Sequence, residues 1–324
     1  MRRLVIGLML ALMVLSGPAA AEGLTLEAKI PLGGVKGRID HMAADPVRRR
    51  LFVAELGNDS LAIVDLAAGR LLQRVDGLAE PQGVAYDAAR DTVFVANGGD
   101  GSLRLLVGEA LAPVGRIDVG RDADNVRLDA SAGWLYVGYG GGALAVIDPR
   151  SRARLADIAL PRHPESFQID PVRGRIYVNL PGAGAIAVLD RVTGKSLAAW
   201  HPPGLDGNFP MALDPAAAQV VVAFRRPARL VAFAAADGTI AAGRAVCGDA
   251  DDLFLDERRR RFYVSCGEGF IDVFAAGDDT AKLAHVATTR GARTSLFVPE
   301  LDRLYLAVPA GTDDPAAIWV FRPE

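Results

Sequence analysis

The chain has 324 residues, 51% apolar and 23% charged, a balance that excludes an intrinsically disordered protein and supplies one large or two ordinary domains. Its formal charge is −3, from 36 Lys and Arg against 39 Asp and Glu, so it lacks the basic excess of a general nucleic-acid binder. Two cysteines and four scattered histidines (His41, His163, His201 and His285) are too few for a cysteine-histidine zinc site, and no Cys-x-x-Cys redox pair is present.

At the N-terminus, Arg2 and Arg3 precede the apolar run "LVIGLMLALMVL", a Gly-Pro break, and Ala19 to Ala21. This reads as a cleavable signal peptide over residues 1–21, cut after Ala21 to leave Glu22 first. The apolar run falls short of the ~18 residues that a membrane span needs. No later segment is long and apolar enough to span, and no cysteine follows the run to carry a lipid. Cleavage removes Arg2 and Arg3 and takes the charge from −3 to −5. The expected mature protein, residues 22–324, is a monomeric single domain in the periplasm or outside the cell. Disulfides persist there, so Cys247 and Cys266 are expected to form a structural pair.

The rest of the chain repeats. The segments "HMAADPVRRRLFVAE", "GVAYDAARDTVFVAN", "NVRLDASAGWLYVGY", "SFQIDPVRGRIYVNL", "PMALDPAAAQVVVAF", "DLFLDERRRRFYVSC" and "SLFVPELDRLYLAV" align on Asp45, Asp87, Asp129, Asp170, Asp214, Asp256 and Val298. Successive anchors lie 42, 42, 41, 44, 42 and 42 residues apart. Seven residues after each stands Phe52, Phe94, Tyr136, Tyr177, Val221, Tyr263 or Tyr305. Each unit reads as four strands: one ending at the anchor, a β-branched and aromatic second, a third such as "LAIVD" or "IAVLD" after a Gly-rich turn, and a looser fourth. Four strands repeated every ~40–45 residues make a propeller blade, so the predicted fold is an all-β, seven-bladed β-propeller. Unit seven ends after its third strand. "GLTLEAKIPLG" (Gly23 to Gly33) belongs to no unit and is expected to supply the missing outer strand, removing an open sheet edge.

Cys247 falls just before the first strand of unit six and Cys266 at the end of its second. A hairpin of this kind brings its outer ends within disulfide reach. The intervening "DERRRR" (Asp256 to Arg261) is expected to be a solvated turn. The anchor aspartates are expected to set the turn after the first strand.

The pattern Asp-Pro-x-x-x-Arg followed by a hydrophobic-aromatic-Val strand resembles the YVTN-type β-propeller repeats. "DTVFVANGGDGSLRLL" and "GRIYVNLPGAGAIAVLD" carry the likeness most clearly. The chain looks like a secreted, YncE-like member of that group from about Leu24 to Glu324, and the resemblance implies a binding or scaffold protein. The same fold serves gluconolactonase-like and streptogramin-lyase-like enzymes and the heavy subunits of quinoprotein amine dehydrogenases, so fold alone does not choose an activity. The Trp-Asp signature of the intracellular WD repeats is absent, as is the tryptophan repeat of quinone-cofactor propellers.

Reading one register across the units locates a site. Five residues before the anchors stand Asp40, Gln82, Asp124, Glu165, Phe209, Asp251 and Arg293. One step on stand His41, Gly83, Asn125, Ser166, Pro210, Asp252 and Thr294, with Asn208 just outside the pattern. The strand residues that follow read as apolar. Asp40, His41, Gln82, Asp124, Asn125, Glu165, Asn208, Asp251, Asp252 and Arg293 are therefore the candidate ligand-binding residues at a channel mouth. Asp40, Asp124, Glu165 and Asp251 are hard oxygen donors of the type that takes Ca²⁺ or Mg²⁺, with His41 or a carboxylate as base. Arg293 pairing with nearby acids, and the whole ring as solvated loop ends, are the structural alternatives. Three functions follow. The first is binding of a small ligand or protein partner without catalysis; the others are a metal-dependent lactonase or hydrolase of gluconolactonase-like type, and a propeller subunit accompanying a quinoprotein amine dehydrogenase-like redox enzyme. No phosphate-cradling loop before a helix, Gly-x-Ser-x-Gly elbow or His-Glu-x-x-His is found.

Overall fold

The computed structural model describes residues 23–277, 280–312 and 314–324; the expected signal peptide lies outside them. Seven four-stranded antiparallel sheets form the blades. Their innermost strands, which number the blades 1 to 7, are Met42–Asp45, Pro81–Asp87, Val126–Asp129, Phe167–Asp170, Asp206–Asp214, Ala250–Asp256 and Ser295–Val298. Every predicted anchor ends its innermost strand. Blade 7 is closed by the N-terminal strand Leu24–Pro31, which pairs antiparallel with Ala317–Pro323 near the C-terminus.

The turn after each innermost strand explains why aspartate repeats there. The anchor carboxylate accepts backbone N–H bonds two or three residues on: Asp45 from Val47 and Arg48, Asp129 from Ser131 and Ala132, Asp256 from Arg259. Four residues after each anchor the backbone turns left-handed, at Arg49, Asp91, Gly133, Gly174, Ala218, Arg260 and Asp302, with φ between 47° and 72°. Only two of those positions are glycine. An L-residue in this region costs ~1–2 kcal/mol, and glycine gives back part of that gain in unfolded-chain entropy. Ala218→Gly is therefore expected to stabilise by about 0.5–1 kcal/mol, read as a raised urea midpoint at unchanged slope; a lowered midpoint would show that the Ala218 methyl contributes packing.

The core lies between blades. Phe52, Leu61 and Ile63 of blade 1 pack on Val84, Val93 and Val95 of blade 2. Tyr136 and Leu144 of blade 3 pack on Phe167, Ile176 and Val178 of blade 4. Ile30, Leu32 and Ile318 of blade 7 pack on Leu51 and Val53 of blade 1, so the N-terminal strand contributes to closing the ring.

Arginines reinforce the same seams. The turn expected to be solvated is instead a clamp. Arg259 pairs with its own anchor Asp256 at 3.0 Å and with Asp302 of blade 7 at 2.6 Å, Arg258 also reaches Asp302 at 2.6 Å, and Arg260 pairs back onto the buried anchor Asp214 of blade 5. Arg48 of blade 1 does the same between Asp45 and Asp91 of blade 2. The local run of positive charge hid this, because its acids come from neighbouring repeats some 42 residues away in the chain.

The Cys247–Cys266 disulfide is present, with Cα atoms 5.8 Å apart and both residues buried. It ties the segment entering the innermost strand of blade 6 to the end of that blade's second strand. Among the described residues, no helix is long and apolar enough to cross a membrane.

Candidate functional site

In blades 1, 3 and 4 the predicted ring positions are held by backbone bonds that extend the innermost strand along its neighbour. Asp40 N–H donates to the Ala54 carbonyl and Ala54 N–H to the His41 carbonyl. Asp124 and Asn125 bracket Gly138 in the same way, and Glu165 and Ser166 bracket Asn179. One repeated ladder contact thus delivers acids from blades 1, 3 and 4 to one level.

His41 joins three of the acids. Its Nε2 lies 3.8 Å from Asp40 and 4.0 Å from Asp124, and its Nδ1 lies 3.8 Å from Asp252. Arg38 adds a second cation 2.8 Å from Asp40. His163, from the loop before blade 4, donates Nδ1–H to the Gly140 carbonyl at 2.7 Å, with Asp122 at 3.3 Å, and places Nε2 4.0 Å from Asp124. On the far side Asp251 is paired with Arg225 at 2.5 Å and Arg293 at 3.3 Å, and both arginines also hold Asp249. Arg225 lies over the Phe209 ring, 3.7 Å from its centroid. The structural alternative for Arg293 is thus realised.

Asn208 does not join the ring. It stands six residues before its anchor, at a one-residue register shift that blade 2 has at the same place, between Pro81 and Val84. The side chain instead donates to the Asn179 side chain at 3.0 Å and the Ala185 carbonyl at 2.8 Å, stapling blade 5 to blade 4. Gln82 is partly buried at the start of the blade 2 innermost strand.

The ring acids do not form a cation cage. Among the described residues no group of three or more His, Cys, Asp or Glu side chains is arranged to hold a metal ion. The positions beside the carboxylates are taken by His41, His163, Arg38, Arg225 and Arg293. Even so, Oδ1 of Asp40, Oδ1 of Asp124 and Oδ1 of Asn125 are buried and accept no hydrogen bond from the described residues. Such acceptors favour an incoming donor.

Burial and mutual charge spread the proton affinities. Burial pushes Asp252 up to about 7, against the pull of His41. Burial, with the charge of Asp124, pushes Glu165 to about 7. Burial works against the His163 imidazolium, but Asp124, the Gly140 carbonyl and Asp122 outweigh it and raise the group to about 9. Burial likewise opposes the His41 imidazolium, and Asp40, Asp252 and Asp124 overcome it to raise the group. Burial also raises Asp40, while Asp124 is lowered because its histidine neighbours outweigh burial.

In the folded chain Asp252, Glu165 and His163 all hold their protons more tightly than in the unfolded chain. Each therefore contributes stability that is complete below its ordinary value (3.8, 4.5 and 6.5) and lost as pH rises through the folded one. Asp252→Asn preserves an acceptor for the Ser295 N–H, now 2.7 Å from Asp252 Oδ2, and removes the buried ionisation. It is expected to melt above the wild type at pH 8 and level with it near pH 4. Lower melting at pH 8 would mean that the Asp252 charge is needed by His41.

Below the ring a cavity of about 460 Å³ runs from Pro46, Pro299 and Glu300 at the turn end of the channel up to His41 and Asp252. Of the predicted site residues only these last two line it. The expectation of an apolar channel wall is corrected here. Two residues before the anchors stand Ala43, Ala85, Arg127, Gln168, Ala212, Phe254 and Leu296, and all but Ala212 line the cavity. Arg127 and Gln168 were concealed inside "VRL" and "FQI". The signal was the alternation of the strand itself, since residues two apart share a face.

No protein-family model and no curated protein matches the sequence. Among solved structures, the chain is similar to hydrazine synthase of Kuenenia stuttgartiensis, with TM-score 0.77 and 15% identity over 88% of this chain and 97% of that one. It is also similar to a chain of the mitotic checkpoint complex, with TM-score 0.78 and 11% identity over 98% of each. Likeness at these identities shows the fold alone, a seven-bladed β-propeller.

Proposed function

We propose that this chain is an extracytoplasmic, YVTN-type binding propeller whose ligand lies on the propeller axis, and that it acts by binding without catalysis. The observation that carries this reading is the 460 Å³ axial cavity, in which polar side chains, among them His41, Arg127, Gln168 and Asp252 and, at the mouth, Glu300, interrupt apolar walls. That volume and that mixture of a few polar groups with apolar surface suit a small organic molecule. The buried disulfide suits an oxidising compartment. Against the metal-hydrolase alternative stands the chemistry of the ring, whose acids face arginine and histidine at 2.5–4.0 Å.

A thermal-shift screen of small organic molecules tests the reading. Compounds that raise the melting temperature of the wild type are expected to lose their effect on Ala85→Trp and Leu296→Trp, which fill the channel from two blades. EDTA is expected to leave the melting temperature unchanged. Shifts that survive both tryptophans place the ligand elsewhere, and a fall in EDTA would return the ring to the metal reading.

A further inference from the structure

The arginines near the axis differ in one respect. Arg38, Arg225 and Arg293 each have a carboxylate partner, at 2.8 Å on Asp40, 2.5 Å on Asp251 and 2.9 Å on Asp249. Arg127 has none within ion-pair distance among the described residues. Its guanidinium makes one hydrogen bond, 3.0 Å to the carbonyl of Val126, and sits 5.8 Å from the Phe167 ring centroid. The nearest acids, Asp124 and Asp252, act on it only through space, and both are already engaged by histidine. Most of the five N–H donors of this fixed fork are therefore left without a protein acceptor.

Arg127 is half-buried on the channel wall, where a guanidinium drawn partly out of water gains from meeting an anion. In the folded chain burial already lowers the proton affinity of Arg127, yet arginine stays charged at any physiological pH. The side chain lines the axial cavity. Beside it on one side and across the channel the wall is apolar: Ala85, Ala43, Leu296 and Phe254 occupy the same register in blades 2, 1, 7 and 6. Gln168, the register neighbour from blade 4, is fixed by its amide N–H on the Met211 carbonyl at 2.8 Å, which leaves its carbonyl oxygen to accept from a ligand hydroxyl or amide.

Resting on the axial-binding reading, we propose that the channel is a carboxylate site: Arg127 takes the carboxylate of a small organic acid through its fork, and the apolar body of that acid lies against Ala85, Phe254 and Leu296. A planar two-oxygen anion matches the fork in a way that a neutral amide does not. The histidine cation of His41, at the inner end of the cavity, adds attraction of the same sign. The acid enters at the turn end, past Pro46 and Pro299, because the ring end is occupied by the acid-base network.

The test uses the full chain and matched pairs of probes: acetate with acetamide, hexanoate with hexanamide, and phenylacetate with phenylacetamide, by calorimetry and ligand-observed NMR. Phenylacetate and hexanoate are expected to bind at least tenfold more tightly than their amides, and acetate more weakly than both. Arg127→Met, close in length and shape, is expected to erase the preference for the acid, while Arg127→Lys keeps the charge and part of the preference. Circular dichroism and the melting temperature verify that both variants are folded. Equal binding of acid and amide, or unchanged acid binding in Arg127→Met, overturns the carboxylate assignment. If the amides bind and Ala85→Trp excludes them, the axial-binding reading survives that loss. If no probe of either kind binds the wild type, both are overturned.

Discussion

Deleting Gly23–Pro31 will leave the chain unable to close its ring, and the product is expected to be insoluble or aggregated. Three effects combine. The strand supplies Leu24 and Ile30 to the buried seams on either side of blade 7, each contributing roughly 1.5–3 kcal/mol of burial. It brings Glu27 to Arg303 at 2.6 Å and Arg322 at 2.9 Å, and Lys29 over the Trp319 ring at 4.0 Å. Its loss also bares the edge of "AIWVFRP" (Ala317–Pro323), an apolar strand with unpaired backbone groups. A permuted chain offers the control. Leu24 pairs with Pro323, and Glu324 N–H donates to the Gly23 carbonyl at 3.1 Å, so the missing strand can be appended after Glu324 through a two-residue Asn-Gly turn. Sedimentation and melting are expected to show the permuted chain monodisperse and cooperative. A deletion that folds as well as the full chain would show that blade 7 holds with three strands.

The second large effect is expected from Cys247→Ala with Cys266→Ala. The bond spans 19 residues, for which the chain-entropy account gives about 3 kcal/mol. In a chain of this size that corresponds to a fall of about 5 °C in melting temperature. The effect reaches the site. Cys247 N–H donates to the buried carboxylate of Asp272 at 2.8 Å, and Gly267 N–H, next to Cys266, donates to the Asp249 carbonyl at 2.9 Å. The bond therefore braces the segment bearing Asp249, Asp251 and Asp252, which pair with Arg225, Arg293 and His41. Axial ligand binding is expected to weaken along with stability. A double variant that melts within 1 °C of the wild type would move the bracing to the backbone ladder alone.

The repeat made the fold readable. One aspartate at each anchor and one large residue seven positions later recur because each blade repeats the same Asx turn and the same seam between blades. The disulfide was readable from two cysteines and a hairpin between them. The site was readable only in part, for physical reasons that differ by residue. The ring register was legible at Asp40, His41, Asp124 and Glu165 because the backbone ladder runs on past the innermost strand there, and Asp251 and Asp252 keep it despite a one-residue shift in blade 6. Asn208 stands one residue outside that register, and its side chain turns to blade 4. Asp122 and Asp249 were missed because they stand two residues before the ring positions Asp124 and Asp251, and Arg225 because it lies at the end of the second strand of blade 5, outside the register that was read. Arg127 and Gln168 were passed over because each is flanked by apolar residues that face the seams.

The central claim is that the ligand lies on the propeller axis between the ring and the turn mouth. The most direct measurement is a crystal structure of the wild-type protein after soaking with a mixed set of small organic acids and their amides. Density is expected inside the channel, between Arg127 and Phe254. Density confined to outer grooves, such as the one lined by Trp134, Leu155 and Val192, with the axis empty at high occupancy elsewhere, would contradict it.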